Sequence, residues 1–141
     1  MTATAANQVS SKKVHLIEPQ AIFVPMLSEL FQELGLEVTM VTPGAEYQSL
    51  VDGQPRVLFI DADFMEQETV NLITLVRNLA PDSLIAIYTR ADNAGKAAAY
   101  RAAGANAIVS KSSDREEIIA GLHQMLHTGE YTDVRFSETT T

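Results

Sequence analysis

Five short apolar runs, separated by stretches of helical periodicity, constrain this chain more than any other feature. The runs are VHLI (14–17), LEVTMV (36–41), RVLFI (56–60), LIAIY (84–88) and AIV (107–109). The third and fourth are almost continuously apolar, the pattern of strands covered on both faces. Between the runs, Ile22, Met26, Leu27, Leu30, Phe31 and Leu34 recur at helical spacing, with Gly35 placed as a stop. Pro25 lies either in the first turn of a helix that starts late or at a kink. Residues 45–52 suit a short second helix. Val70, Ile73, Val76 and Leu79 mark a third, alanine-rich 91–103 a fourth ending at Gly104, and Ser113 with Glu116 reads as a capping box opening a fifth. Ile118, Ile119, Leu122, Met125 and Leu126 form the stripe of that last helix. A strand–helix unit repeated five times demands right-handed crossovers, hence a parallel sheet with helices on both faces.

A chain of 141 residues suits one domain with a sizeable core. Residues 1–12 read as a disordered lead-in without the apolar segment of a secretory signal, 13–127 as the domain, and 128–141 as a linker or tail. The formal net charge of −8 argues against a broad basic surface for DNA, RNA or anionic lipid. No apolar run approaches the roughly 18 residues of a membrane span. The absence of cysteine removes disulfides, thiolate metal sites and cysteine nucleophiles, and fits a reducing cytoplasm.

In open α/β sheets the ligand site lies beyond the carboxyl ends of the strands. Reading those ends yields Glu18, Asp61, Thr89 and, two residues past the fifth run, Lys111. Two acids, a hydroxyl and an ammonium suit phosphoryl chemistry. One carboxylate can act as acceptor nucleophile and another can hold Mg²⁺, while hydroxyl and lysine bind phosphoryl oxygens.

These residues, in this order, resemble the receiver domain of two-component response regulators, CheY-like, over about residues 13–127. FIDADFM (59–65) resembles the third-strand motif and implies Asp61 as phosphoacceptor, with Asp63 supplying a backbone carbonyl to the metal. AIYTR (86–90) aligns Thr89 with the switch hydroxyl. GANAIVSKS (104–112) resembles the family's fifth-strand region and aligns Lys111 with its lysine and Gly104 with the glycine usually found before the fifth strand. VHLIEP resembles the end of the first strand, where Glu18 stands at the first of two acids. The resemblance implies a three-layer, doubly wound, flavodoxin-like α/β sandwich of (βα)5 type with strand order 2-1-3-4-5. It also implies Mg²⁺ bound by Glu18, Asp61 and the Asp63 carbonyl. The partners implied are a sensor histidine kinase or phosphotransfer protein and a second copy of the chain, in the cytoplasm. The protein is then a phosphorylated switch and not an enzyme. Its face made by the fourth helix, fifth strand and fifth helix would drive a partner or output domain, such as a DNA-binding transcription regulator. The tail HTGEYTDVRFSE (127–138) resembles the receiver-to-linker junction of LuxR-type response regulators.

The departures from that pattern are specific. Pro19 replaces the second acid and weakens the expected Mg²⁺ site. Glu66 replaces the usual proline after the acceptor loop, and Ser112 replaces the proline after the lysine, so a trans Lys111–Ser112 bond is expected. Ile108 or Ala107 fills the aromatic switch position. The alternative reading is a phosphorylation-independent pseudo-receiver acting as an interaction or dimerisation module. A nucleotide-binding or hydrolytic enzyme finds no support, because there is neither a P-loop nor a G-x-S-x-G motif. His123 and His127 have the i, i+4 spacing of a metal pair but no third ligand, and read as surface residues. His15 reads as a packing residue of a buried strand. Arg90 points either into the site mouth or to a partner. Tyr100 with Leu122 and Met125 would line a partner face, against the default of core packing.

Overall fold

The computed structural model describes residues 10–42, 47–63, 68–90 and 94–137. Its strands are β1 (Ser10–Ile17), β2 (Glu37–Met40), β3 (Pro55–Asp61), β4 (Leu84–Thr89), β5 (Ala107–Ser110) and β6 (Tyr131–Thr132). The helices are α1 (Val24–Glu33), α2 (Tyr47–Val51), α3 (Thr69–Leu79), α4 (Ala94–Ala103), α5 (Arg115–Thr128) and α6 (Val134–Ser137). All strand pairs are parallel, in the order β2-β1-β3-β4-β5-β6. The expected order 2-1-3-4-5 is present, extended by a sixth strand from the segment read as a tail.

The two-residue period of the strands sorts their side chains into two cores. Leu58, Ile60, Ile85, Ile87 and Ile108 face α2, α3 and α4, meeting Val51, Leu72, Ile73, Val76, Ala97 and Tyr100. On the other face Val14, Leu16, Val57, Phe59, Tyr88 and Val109 meet Leu27, Leu30 and Phe31 of α1 and Ile118, Leu122 and Met125 of α5. Phe59 stands edge-on to Phe31, with ring centroids 5.2 Å apart. Each such fully buried side chain contributes roughly 1.5–3 kcal/mol, so the two cores anchor β3 and β4 from both sides.

Local expectations hold in outline and shift in phase. Pro25 lies in the first turn of α1, where its missing N–H costs nothing. Ile22 falls outside α1, in a 3₁₀ turn, and is 81% exposed, so it does not belong to the stripe. The buried stripe of α3 is Thr69, Leu72, Ile73 and Val76, while Val70 and Leu79 are exposed. The capping box of α5 lies one residue later than expected. Asp114 accepts from Glu117 N–H, and the Glu117 side chain accepts from Asp114 N–H. Ser113 is excluded because its hydroxyl donates to Asp133 Oδ2 at 2.6 Å. Tyr100, Leu122 and Met125 are buried, and Tyr100 lies on the opposite side of the sheet from the other two, so they form no common partner face. His15 is buried with Nδ1 2.7 Å from Leu50 O, as a packing residue should be. His123 and His127 are exposed, and the Nδ1 of His127 lies 3.0 Å from His123 O.

The segment after α5 belongs to the sheet. Gly129 ends α5 in the left-handed conformation at φ 89°. Tyr131 and Thr132 then pair with Ala107 and Ile108. Phe136 is buried in the core beside α4, and Arg101 donates to Thr132 Oγ1 at 2.6 Å. Gly121 on α5 makes room for this strand, since a Cβ there would lie 2.3 Å from the Tyr131 ring.

Candidate functional site

The carboxyl ends of β1, β3, β4 and β5 bring their polar residues together. β1 stops at Ile17, and Glu18 follows, only 4% exposed. Its Oε2 accepts from Gln20 N–H at 3.0 Å, which turns the chain toward α1. Pro19 is exposed and leaves no second acid at this corner. Asp61 is the last residue of β3, and its Oδ2 lies 2.7 Å from the Lys111 ammonium. Their side chains are 1% and 5% exposed, so this is a buried ion pair and Lys111 is not a solvated lysine. Lys111 is held by the turn after β5, where its own N–H donates to Thr89 O at 3.0 Å. Its ammonium also sits 5.0 Å from the Phe23 ring centroid and 5.4 Å from that of Tyr88, a cation–π environment that fixes its position. No peptide among the described residues is cis, so Lys111–Ser112 is trans as expected.

Asp63 takes part in the site through its N–H and its side chain. Its N–H donates to Asp61 Oδ1 at 2.8 Å. Its side chain turns back into the site, where Oδ1 accepts from the Thr89 hydroxyl at 2.6 Å. Oδ2 accepts from Arg90 N–H at 3.1 Å and lies 3.0 Å from Lys111 Nζ. Thr89 thus joins the cluster through Asp63. Arg90 stands at the site mouth, its Nε 3.6 Å from Asp63 Oδ2. Glu66 lies outside the described residues. Ala107 and Ile108 are both buried, and neither supplies an aromatic switch.

The electrostatics divide the acids. Burial, followed by the neighbouring Asp61 carboxyl as hydrogen-bond partner, pushes Glu18 up to about 8, against the opposing effect of the Gln20 N–H. As a carboxylate, Glu18 leaves Oε1 buried with no hydrogen-bond partner. Protonated, it can donate to Asp61, so burial and this neighbour both favour the neutral acid at Glu18. Burial also works against ionised Asp63, but hydrogen bonds from Thr89, Lys111 and Arg90 N–H outweigh it and hold its pKa below the ordinary aspartate value. Burial, then the charges of Glu18 and Asp61, raise Tyr88 to about 12.

The donor set fits Mg²⁺ in part. Glu18 and Asp61 offer hard oxygens, and the orphaned Glu18 Oε1 is an atom that a cation would satisfy. No group of three or more His, Asp or Glu side chains able to hold a metal exists among the described residues. Two carboxylates would therefore need a backbone carbonyl and waters to complete the shell.

No protein-family model matches the chain, and no curated protein matches it. Solved structures do match in fold. A response regulator from Thermotoga maritima superposes with a TM-score of 0.74 at 17% identity, over 84% of this chain and 100% of that one. A two-component response regulator of the LuxR family from Aurantimonas sp. SI85-9A1 gives 0.75 at 20% identity, over 88% and 90%. The isolated REC domain of RcsB from Salmonella enterica serovar Typhimurium, solved in the presence of phosphomimetic BeF3−, gives 0.72 at 16%, over 91% and 97%. The fold is that of response-regulator receiver domains. No helix among the described residues is long and apolar enough to cross a membrane.

Proposed function

We propose that this chain is a receiver module of two-component signalling that accepts a phosphoryl group on Asp61. The observation that carries this reading is the buried Asp61–Lys111 pair, beside Glu18, at the carboxyl edge of a receiver-type sheet. In the transfer, an Asp61 carboxylate oxygen attacks the phosphorus of a phosphohistidine or an acyl phosphate. An O–P bond forms and the donor's P–N or P–O bond breaks. The electron pair leaves with the imidazole, which takes a proton from solvent, or with the carboxylate. Lys111 and the Thr89 hydroxyl bind the phosphoryl oxygens and offset their charge. Glu18, Asp61 and the Asp63 carbonyl would hold Mg²⁺, which when bound supplies charge neutralisation at the transferring group. Pro19, in place of a second acid, makes this a weaker site.

In this reading the protein is the acceptor substrate of a sensor histidine kinase or phosphotransfer protein, not itself an enzyme, and acts in the cytoplasm. Its output passes to a partner, a second copy or an attached domain. A LuxR-type DNA-binding output rests on the sequence of residues 127–138 alone. The net charge of −8 argues against direct nucleic-acid binding by this chain. The test is incubation with a small acyl phosphate and Mg²⁺. The expected result is an acid-stable, base-labile phosphoryl mass gain that Asp61→Asn abolishes. No gain at millimolar Mg²⁺ overturns the reading.

A further inference from the structure

The phosphoryl transfer described above makes no use of the Asp63 carboxylate, yet that group collects three donors. The Thr89 hydroxyl donates at 2.6 Å, Arg90 N–H at 3.1 Å, and the Lys111 ammonium lies at 3.0 Å. Two of these, Thr89 and Lys111, are the groups assigned above to the phosphoryl oxygens. A carboxylate and a phosphoryl group make the same demand on them: anionic oxygens that accept short, charge-assisted hydrogen bonds.

We propose that Asp63 is a built-in anion seated on the phosphoryl-oxygen donors, and that phosphoryl transfer to Asp61 requires its carboxylate to leave them. This rests on the Asp61 reading and adds to it an internal competitor. Hydrogen stoichiometry makes the competition direct, because the Thr89 hydroxyl has a single proton to give, to Asp63 or to a phosphoryl oxygen. Charge acts in the same direction. Asp61 and Asp63 already face one buried ammonium, and a phosphoryl group arriving beside a seated Asp63 would add negative charge with no new cation from the chain. The geometry allows departure. The Asp63 side chain is 22% exposed, unlike those of Asp61 and Lys111, and rotation toward the mouth takes it into water. With Asp63 seated, Thr89 and Lys111 are also held by an anion before any phosphoryl group is present. The Thr89 hydroxyl is thus already engaged in the unmodified protein.

Two readouts on the full chain test this. The first is non-covalent, with inorganic phosphate as the probe. Phosphate is expected to raise the thermal midpoint of Asp63→Ala and leave the unmodified protein unchanged. A rise of equal size in both, or in neither, overturns the proposal. The second is the rate of labelling by an acyl phosphate with Mg²⁺, expected to be about ten- to a hundredfold faster in Asp63→Ala, the equivalent of one hydrogen bond to a charged group. Asp63→Asn serves as a second variant that keeps the volume of the side chain and removes its charge, and its rate should fall between the two. Equal rates in all three overturn the competitor and leave Asp61 as acceptor. If no protein is labelled, the acceptor reading fails, and the phosphate titration still decides whether Asp63 fills an anion site.

Discussion

Replacing Glu18 by Gln should make the protein more stable at alkaline pH and remove part of its pH dependence. The folded-state pKa of about 8 stands above the ordinary 4.5 because the group is buried against Asp61. Between those values the folded state keeps a proton that the unfolded chain has lost. Stability from this group is therefore full below pH 4.5, falls as pH rises to 8, and is flat beyond. At about 1.4 kcal/mol per unit, the interval from pH 5.5 to 8 amounts to about 3 kcal/mol, and halving it for solvent screening near the site mouth leaves roughly 1.5–2 kcal/mol. Glutamine keeps the shape, accepts from Gln20 N–H as Oε2 does now, and can donate to Asp61 without titrating. Urea unfolding of both proteins in chelator at pH 5.5 and 8.5 measures the difference. The variant's advantage should grow by that amount between the two conditions. Asp63 and Asp133, whose pKa values are lowered, stay ionised at both, so their contribution, lost only as pH falls below the ordinary aspartate range, cancels. An advantage that is absent or equal at the two pH values would show that Glu18 is ionised in the folded protein, and would refute the argument that burial holds its proton.

Pro19→Asp should strengthen Mg²⁺ binding by restoring a second acid next to Glu18, as read by titration calorimetry, and an unchanged affinity would remove Glu18 from the metal site. Gly121→Ala brings a Cβ to 2.3 Å from the Tyr131 ring. Its gain in helix propensity of about 1 kcal/mol is set against undocking of β6 and α6, where burial of Phe136 alone is worth roughly 2–3 kcal/mol. A net loss of about 1–2 kcal/mol is expected in chemical denaturation, and a stabilised variant would contradict this packing.

The parts legible in the sequence are those with a period or a position. The buried runs of β3 and β4 follow from their continuous apolar pattern, the parallel sense from right-handed crossovers, and the corner residues Glu18, Asp61 and Lys111 from strand ends in an open sheet, whereas the strand order came with the family resemblance. Phase is less legible. Ser113-x-x-Glu116 and Asp114-x-x-Glu117 are adjacent and equally plausible caps, and the hydrogen bond from Ser113 to Asp133, twenty residues away, decides between them. The stripe of α3 is rotated because α2 and α4 both pack against it, burying Thr69 and Leu72 in place of Val70 and Leu79. A two-residue strand such as β6 has no period to detect, and its only signals were Gly129 as a helix stop and the spaced aromatics Tyr131 and Phe136. The inward turn of Asp63 depends on donors from β4 and from the turn after β5. No local pattern encodes it.

The uniformly parallel register has a kinetic consequence. Among the described residues no strand pair is antiparallel and no hairpin occurs, so each pairing must wait for a whole crossover of a dozen or more residues to close. Contacts distant in sequence place such a chain among slower folders than helical bundles of equal length, and the central apolar strands spend longer without partners. The charge of −8 keeps neighbouring chains apart during that interval, at a cost in self-repulsion once the fold is compact.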